Sequence, residues 1–227
     1  MSDTYGLDLS TVSLADFRRG IEAGDLLPSY RILRDDLAAR FATLETAGLH
    51  TVADLVAVLS TKQRVTQFAA QTGLPEEYVT LLRRKARSYL PRPIPLKDLP
   101  GVAAEHAERL AAFGIKQTEQ LWQRARTAAD RADLAAASGV PPAVILDLAR
   151  LADVARAGYV GPIFARLLVD AGADSLATLA GSDAEALYAR TVAVNAAQGL
   201  TKAGYTAKDI ALSIDFARRL PHVAEFP

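Results

Sequence analysis

The sequence contains no cysteine, which excludes disulfide bonds, thiolate metal sites and a cysteine nucleophile. It has no uninterrupted apolar run near the ~18 residues of a membrane span, and its first residues lack the pattern of a signal peptide. Basic and acidic residues are equal at 26 each, so no net charge draws the chain to nucleic acid or anionic lipid. From these absences we expect a cytoplasmic protein with no membrane contact, metal ion or cofactor.

The residues that are abundant favour helices. Half of the residues are apolar, whereas only 7% are aromatic, and the excess consists of alanine and leucine. Both lose little conformational freedom in a helix. The composition therefore predicts an all-α protein.

Short glycine-centred patterns recur along the chain. They are Ala47-Gly48-Leu49, Phe113-Gly114-Ile115 and Ala171-Gly172-Ala173, and then Thr72-Gly73-Leu74-Pro75, Ser138-Gly139-Val140-Pro141 and Ala203-Gly204-Tyr205. The paired glycines are 25 residues apart in the first two copies (48 to 73, 114 to 139) and 32 apart in the third (172 to 204). Glycine suits the left-handed residue that ends a helix. The recurrence predicts three related helical repeats.

Caps and prolines divide the chain into segments. Ser13 followed by Asp16 predicts the start of a short N-terminal helix. Alternate prolines in Leu90–Pro95 exclude a helix there and predict a linker. The predicted segments are an N-terminal helical extension (1–24), a first helical unit (25–90), a proline-rich linker (91–98), a second unit (99–156) and a third unit (157–227).

Two segments resemble a helix-hairpin-helix element. One runs from Leu99 to Leu110 and is followed by Gly114-Ile115, and the other runs from Ala157 to Leu168 ahead of Ala171-Gly172. The region from about Leu99 to Leu220 is similar to an uncharacterised prokaryotic domain of unknown function built from tandem helix-hairpin-helix units. The resemblance implies a fold without an established activity.

The same resemblance implies candidate phosphate contacts. In helix-hairpin-helix modules a Gly-hydrophobic-Gly turn presents backbone N–H groups to a DNA phosphate. The matching positions are Gly101-Val102-Ala103 and Tyr159-Val160-Gly161, and each keeps one of the two glycines. The first unit has Asp35-Asp36-Leu37 instead, which places two carboxylates where a phosphate would lie. These departures argue against ordinary nucleic-acid binding.

A dense basic cluster lies near the end of the first unit and consists of Arg83, Arg84, Lys85 and Arg87. Such a cluster is typical of a patch that binds phosphate or an acidic partner. It is also typical of a solvated helix end, where basic residues are favoured. The sequence leaves both interpretations open.

No pattern of catalytic machinery is present, since the chain has neither a glycine-rich phosphate loop nor a nucleophile elbow. We expect a non-enzymatic binding or scaffold protein that engages a protein partner through its helical repeat surfaces. One alternative is weak, sequence-independent binding to DNA or RNA backbones through the turns and the basic cluster. Another is a small-molecule-binding protein or enzyme with a pocket between units. The partner and the oligomeric state stay open.

Overall fold

The computed structural model describes residues 4–24, 26 and 28–227, and within these residues the chain is helical without a β-strand. This confirms the predicted all-α class. The α-helices of the described residues are α1 (Leu14–Ala23), α2 (Leu37–Thr46), α3 (Val52–Val58), α4 (Lys62–Thr72), α5 (Glu76–Arg87), α6 (Ala104–Ala112), α7 (Thr118–Arg124), α8 (Ala128–Ser138), α9 (Pro142–Val154), α10 (Pro162–Asp170), α11 (Leu176–Ala180), α12 (Ala184–Gln198) and α13 (Ala207–Ala217). Short 3₁₀ helices cover Leu9–Thr11, Pro28–Arg34 and Leu96–Asp98.

The chain forms two compact units. The N-terminal unit is Asp8–Leu90, and the C-terminal unit consists of residues 4–7 together with Pro91–Pro227. The division after Leu90 falls at the start of the proline-rich segment. The predicted extension covers 1–24, and its described part, residues 4–24, is divided between the two units.

Local hydrogen bonds define where several helices begin. The Ser13 hydroxyl accepts a hydrogen bond from the backbone N–H of Asp16 at 3.0 Å, as its spacing predicts. Thr51 and Asp54 form a reciprocal capping box at the start of α3. The backbone N–H groups of His50 and Thr51 donate to the Asp54 carboxylate and hold the pKa of that group below its usual value.

Left-handed glycines mark the helix ends, with one correction to the predicted set. Positive φ angles occur at Gly48, Gly73, Gly114, Gly139 and Gly172, as expected for helix ends. In the third unit, however, the helix α12 ends at Gly199, which has a φ of 64°. The assignment of Gly204 to this position was wrong. The segment between α12 and α13 covers residues 199–206, whereas only residues 139–141 separate α8 from α9.

A buried ion pair lies in the core of the C-terminal unit. The Arg156 guanidinium donates to the Asp153 carboxylate at 2.9 Å, and both residues are only 2% exposed. Arg156 also donates to the carbonyl oxygens of Tyr5 and Pro221, each at 2.9 Å. The indole N–H of Trp122 donates to Asp153 at 3.0 Å. This network satisfies both buried charges, and it ties residue 5 and residue 221 to the helical core.

Candidate functional site

The turn before α6 is held by contacts within the protein. Gly101 has a φ of 81°, which is a conformation that favours glycine. A Cβ atom at this position would lie 3.6 Å from a guanidinium nitrogen of Arg166. Val102 is half-buried, and its N–H donates to the carbonyl of Leu99 at 3.3 Å. Ala103 is exposed and precedes α6 without a side-chain cap.

Arg166 in α10 fixes this turn. Its Nε atom donates to the carbonyl of Pro100 at 3.1 Å, while its two terminal nitrogens donate to the Asp147 carboxylate at 2.8 and 2.7 Å. A further contact joins it to Asp170 at 3.2 Å. The hydrogen bonds to Asp147 raise the pKa of Arg166. We infer a structural role for the turn at Gly101, because a cation already occupies the space beside it.

The corresponding turn before α10 is built differently. Tyr159 has a φ of 69°, which is unusual for a bulky residue, and its surface is 56% exposed. Val160 is buried, whereas Gly161 precedes α10 with an extended φ of −92° and no side-chain cap. Among the residues that the structure describes, nothing lies within 4 Å of the position that a Cβ of Gly161 would take. This turn is therefore strained at Tyr159 and open at Gly161.

A cleft of about 260 Å³ lies beside this second turn. We call it the α10 cleft. One wall is the start of α10, with Gly161, Pro162, Ile163, Phe164 and Leu167. The other wall is the segment between α12 and α13, with Thr201, Ala203, Gly204 and Tyr205. This second wall is part of the connection between α12 and α13, which has eight residues (199–206). The equivalent connection between α8 and α9 has three (139–141).

Both walls of the α10 cleft are fixed by contacts. Asn195 donates from its amide to the carbonyl of Thr201 at 3.0 Å and accepts from the N–H of Thr201 at 2.9 Å. The ring of Tyr205 makes edge-on contacts with Phe164 and Tyr188, at centroid distances of 5.6 and 5.8 Å. These contacts preorganise the cleft, which lowers the entropic cost of binding.

The basic cluster lies in the N-terminal unit, and its members differ. Arg83 donates to the carbonyls of Leu59 and Ser60 at 2.6 and 3.0 Å, so it caps the end of α3. Arg84 and Arg87 are exposed, and Lys85 is half-exposed. In the described part of the chain these last three residues have no carboxylate partner within salt-bridge distance. Three of the four cations are thus available to a ligand.

The α10 cleft is lined almost entirely by side chains that do not titrate. Tyr205 is the only lining residue with a titratable side chain, so the lining offers no general acid–base pair. Over the described residues, no group of three or more histidine and carboxylate side chains is arranged to hold a metal ion. No described helix is both long and apolar enough to cross a membrane.

Sequence reasoning found part of this site. It named Tyr159, Val160 and Gly161, but as a phosphate-binding turn. It missed the opposite wall because Gly204 was assigned to a helix end. The length difference between residues 199–206 and residues 139–141 was the available signal, since extra residues in one copy of a repeat form an additional surface.

Comparison with known proteins yields a family without an assigned activity. The family model described as a domain of unknown function, DUF4332, matches residues 100–220, which is more than half of the chain. No curated protein and no solved structure matches the chain.

Proposed function

We propose that this chain, which belongs to the DUF4332 family of domains of unknown function, is a non-enzymatic cytoplasmic protein. In this proposal it binds another protein through the α10 cleft. The observation that carries this proposal is an open apolar cleft flanked by Ile163, which is 40% exposed, and preceded by the strained and exposed Tyr159. Strained backbone and apolar surface around a preformed cleft are typical of binding sites. The absence of cysteine fits a reducing compartment.

We further propose that the scaffold consists of three helix-hairpin-helix-like units of four helices each. The units are α2–α5, α6–α9 and α10–α13. In support, α7, α8 and α9 begin 66 residues after α3, α4 and α5 respectively (52 to 118, 62 to 128, 76 to 142). The third unit departs from this spacing at the segment that forms the second wall of the cleft. A repeated scaffold with one modified copy favours a specialised binding surface on that copy.

The test is capture of partners from a native lysate with an Ile163→Asp variant. An aspartate in the first turn of α10 is compatible with the helix, but it places a charge at the apolar cleft. The matched control is Leu212→Asp, because Leu212 is 41% exposed and does not line the cleft. We expect Ile163→Asp to lose the proteins that wild type and Leu212→Asp retain. Equal capture by all three proteins would contradict the proposal.

A second candidate function is sequence-independent nucleic-acid binding through Arg84, Lys85 and Arg87. The observation in its favour is that these cations have no carboxylate partner in the described part of the chain. Fluorescence anisotropy with a labelled oligonucleotide separates the candidates. At ~0.15 M salt, where exposed charges are screened beyond about 8 Å, we expect no appreciable binding. Tight binding that Arg84→Glu with Arg87→Glu abolishes would favour the nucleic-acid function.

A further inference from the structure

We infer that the α10 cleft receives an aromatic side chain of the partner protein, carried on a segment with acidic residues beside it, and that Gly161 and Gly204 keep the space for that ring. This inference rests on the proposed function and specifies the chemistry of its partner. It assigns two glycines as the residues that set the size of the accepted side chain.

Gly161 and Gly204 differ from the other glycines of the chain in their surroundings. All 14 glycines lie in the described residues. Seven have positive φ angles, and five others have an atom within 4 Å of the position where a Cβ would lie. Only Gly161 and Gly204 have neither feature, and both line the α10 cleft. Neither the φ angle nor packing within the protein therefore requires glycine at these two positions. A group bound in the cleft would require it, because a side chain at either position would fill the same space.

Helix capping is a weaker explanation for Gly161. Glycine is accepted before a helix, but serine, threonine, asparagine and aspartate cap better because their side chains accept a backbone N–H. Gly161 makes no such bond. A serine at position 161 would stabilise the start of α10, but its side chain would narrow the cleft. The presence of glycine therefore keeps the cleft open at the expense of a better helix cap.

The size of the cleft indicates a single side chain. Its volume of about 260 Å³ is below the ~300–1,000 Å³ of sites that enclose a drug-sized molecule. Protein interfaces commonly depend on one large anchor residue held in a pocket of this kind. The rings of Phe164 and Tyr205 already meet edge to face at an interplanar angle of 75°. A further aromatic ring can continue this geometry, which adds to the effect of apolar burial.

The charge around the cleft indicates the residues beside the anchor. No acidic residue lines the cleft. Lys202 lies between the lining residues Thr201 and Ala203, is exposed, and has no carboxylate partner within salt-bridge distance in the described part of the chain. A partner segment with carboxylates near its aromatic residue would complement this cation and associate faster at low salt.

The experiment is an NMR titration of the full chain with a blocked peptide that carries one phenylalanine between two aspartates. We expect shifts of the backbone amides of residues 161, 163–167 and 201–205. Replacement of the phenylalanine by alanine should weaken binding at least about tenfold, because the anchor contributes most of the affinity. Replacement of both aspartates by lysine should weaken it less. No shift of these amides up to about 5 mM peptide, or equal binding of the alanine peptide, would overturn the inference.

Variants of the two glycines test their assigned role. Gly161→Ser and Gly204→Leu should each fold with unchanged or higher thermal stability and weaken peptide binding at least about tenfold, because their side chains enter the space of the ring. Leu212→Ser is the control, since Leu212 is 41% exposed and does not line the cleft. Undiminished binding by Gly204→Leu would contradict the assignment.

The outcomes separate this inference from the proposed function. If lysate capture depends on Ile163 while the peptides do not bind, the proposed function stands and the aromatic–acidic partner is wrong. A second copy of this chain is the competing occupant, since Phe113 is 42% exposed. Concentration-dependent shifts of the cleft amides without peptide, removed by Phe113→Ser, would identify that copy as the occupant and overturn the inference.

Discussion

The proposed second and third units, α6–α9 and α10–α13, contain the same order of four helices, but the turns that precede them differ. The turn before α6 is filled by a side chain, whereas the turn before α10 is open. Before α6 the left-handed residue is Gly101, and Arg166 lies against it. Before α10 the left-handed residue is Tyr159, followed by a glycine with empty space beside it. Between the last two helices, residues 139–141 form a tight connection, whereas residues 199–206 form the wall of a cleft. Under the proposed repeat, the helices common to both units form a frame, and the cleft lies where the third unit departs from the second.

The largest loss of stability should come from removing the Arg166 side chain, which holds the turn before α6. Arg166→Ala leaves the carbonyl of Pro100 and the carboxylate of Asp147 without their donor, so we expect a loss of about 2–3 kcal/mol in the free energy of unfolding. Urea denaturation measures this. The control is Arg109→Ala, because the exposed Arg109 donates, among the described residues, one hydrogen bond, to the carbonyl of Gly139 at 2.7 Å. Equal losses in the two variants would show that the turn at Gly101 does not depend on Arg166.

The next effect concerns the wall of the open unit. Asn195→Ala removes both hydrogen bonds to the backbone of Thr201, and we expect a loss of about 1–2 kcal/mol in unfolding free energy. Partner capture should fall more than this loss of stability explains, because the cleft is no longer preorganised. Gln198→Ala is the control, since within the described residues the Gln198 side chain makes one hydrogen bond, to the carboxylate of Asp170 at 3.0 Å. Full capture by Asn195→Ala would show that this wall does not contact the partner.

Substitutions of Gly101 and Gly161 should change the free energy of unfolding in opposite directions. Gly101→Ala places a Cβ on a residue with a φ of 81° and should destabilise the protein by about 1 kcal/mol. Gly161→Ser adds a cap to α10 and should stabilise by a few tenths of a kcal/mol. Thermal unfolding at one pH and salt concentration compares the two directly. The same sign for both would remove the distinction between a structural and a functional glycine.

The last effect concerns the strained residue Tyr159, where two opposing changes nearly cancel. Tyr159→Gly relieves a left-handed conformation that costs ~1–2 kcal/mol in a non-glycine residue, while glycine adds freedom to the unfolded chain, so the net gain should be about 0.5 kcal/mol. Partner capture should weaken despite this gain. Tyr159→Ala separates the two effects because it removes the ring and keeps the strain. A loss of stability in Tyr159→Gly would show that the ring packs favourably in the free protein.

Helix type and several helix ends could be predicted because they depend on local chemistry. Gly48 and Gly114 end helices through their own backbone freedom, and Ser13 caps α1 through a residue three positions away. Gly204 was misassigned because glycine alone does not distinguish a helix end from an irregular segment. The left-handed state of Tyr159 could not be predicted, since tyrosine seldom adopts it.

The environment of the ion pair also lay beyond the sequence. Asp153 and Arg156 are three residues apart, which is typical of a pair on a solvated helix face. Their burial depends on Tyr5, Trp122 and Pro221, which are distant in sequence. The second wall of the α10 cleft, residues 199–206, was missed for the same reason, because it is distant in sequence from the start of α10.

The hydrogen bonds of the Arg156 guanidinium determine which residues a stable fragment of the C-terminal unit must contain. Two of its three acceptors are the carbonyls of Tyr5 and Pro221, and both lie outside the matched region 100–220. A fragment cut at those limits keeps the buried cation but loses two acceptors, each worth about 1–3 kcal/mol. A stable recombinant C-terminal unit therefore has to extend past Pro221 and carry residues 4–7, joined through a short engineered linker to Pro91.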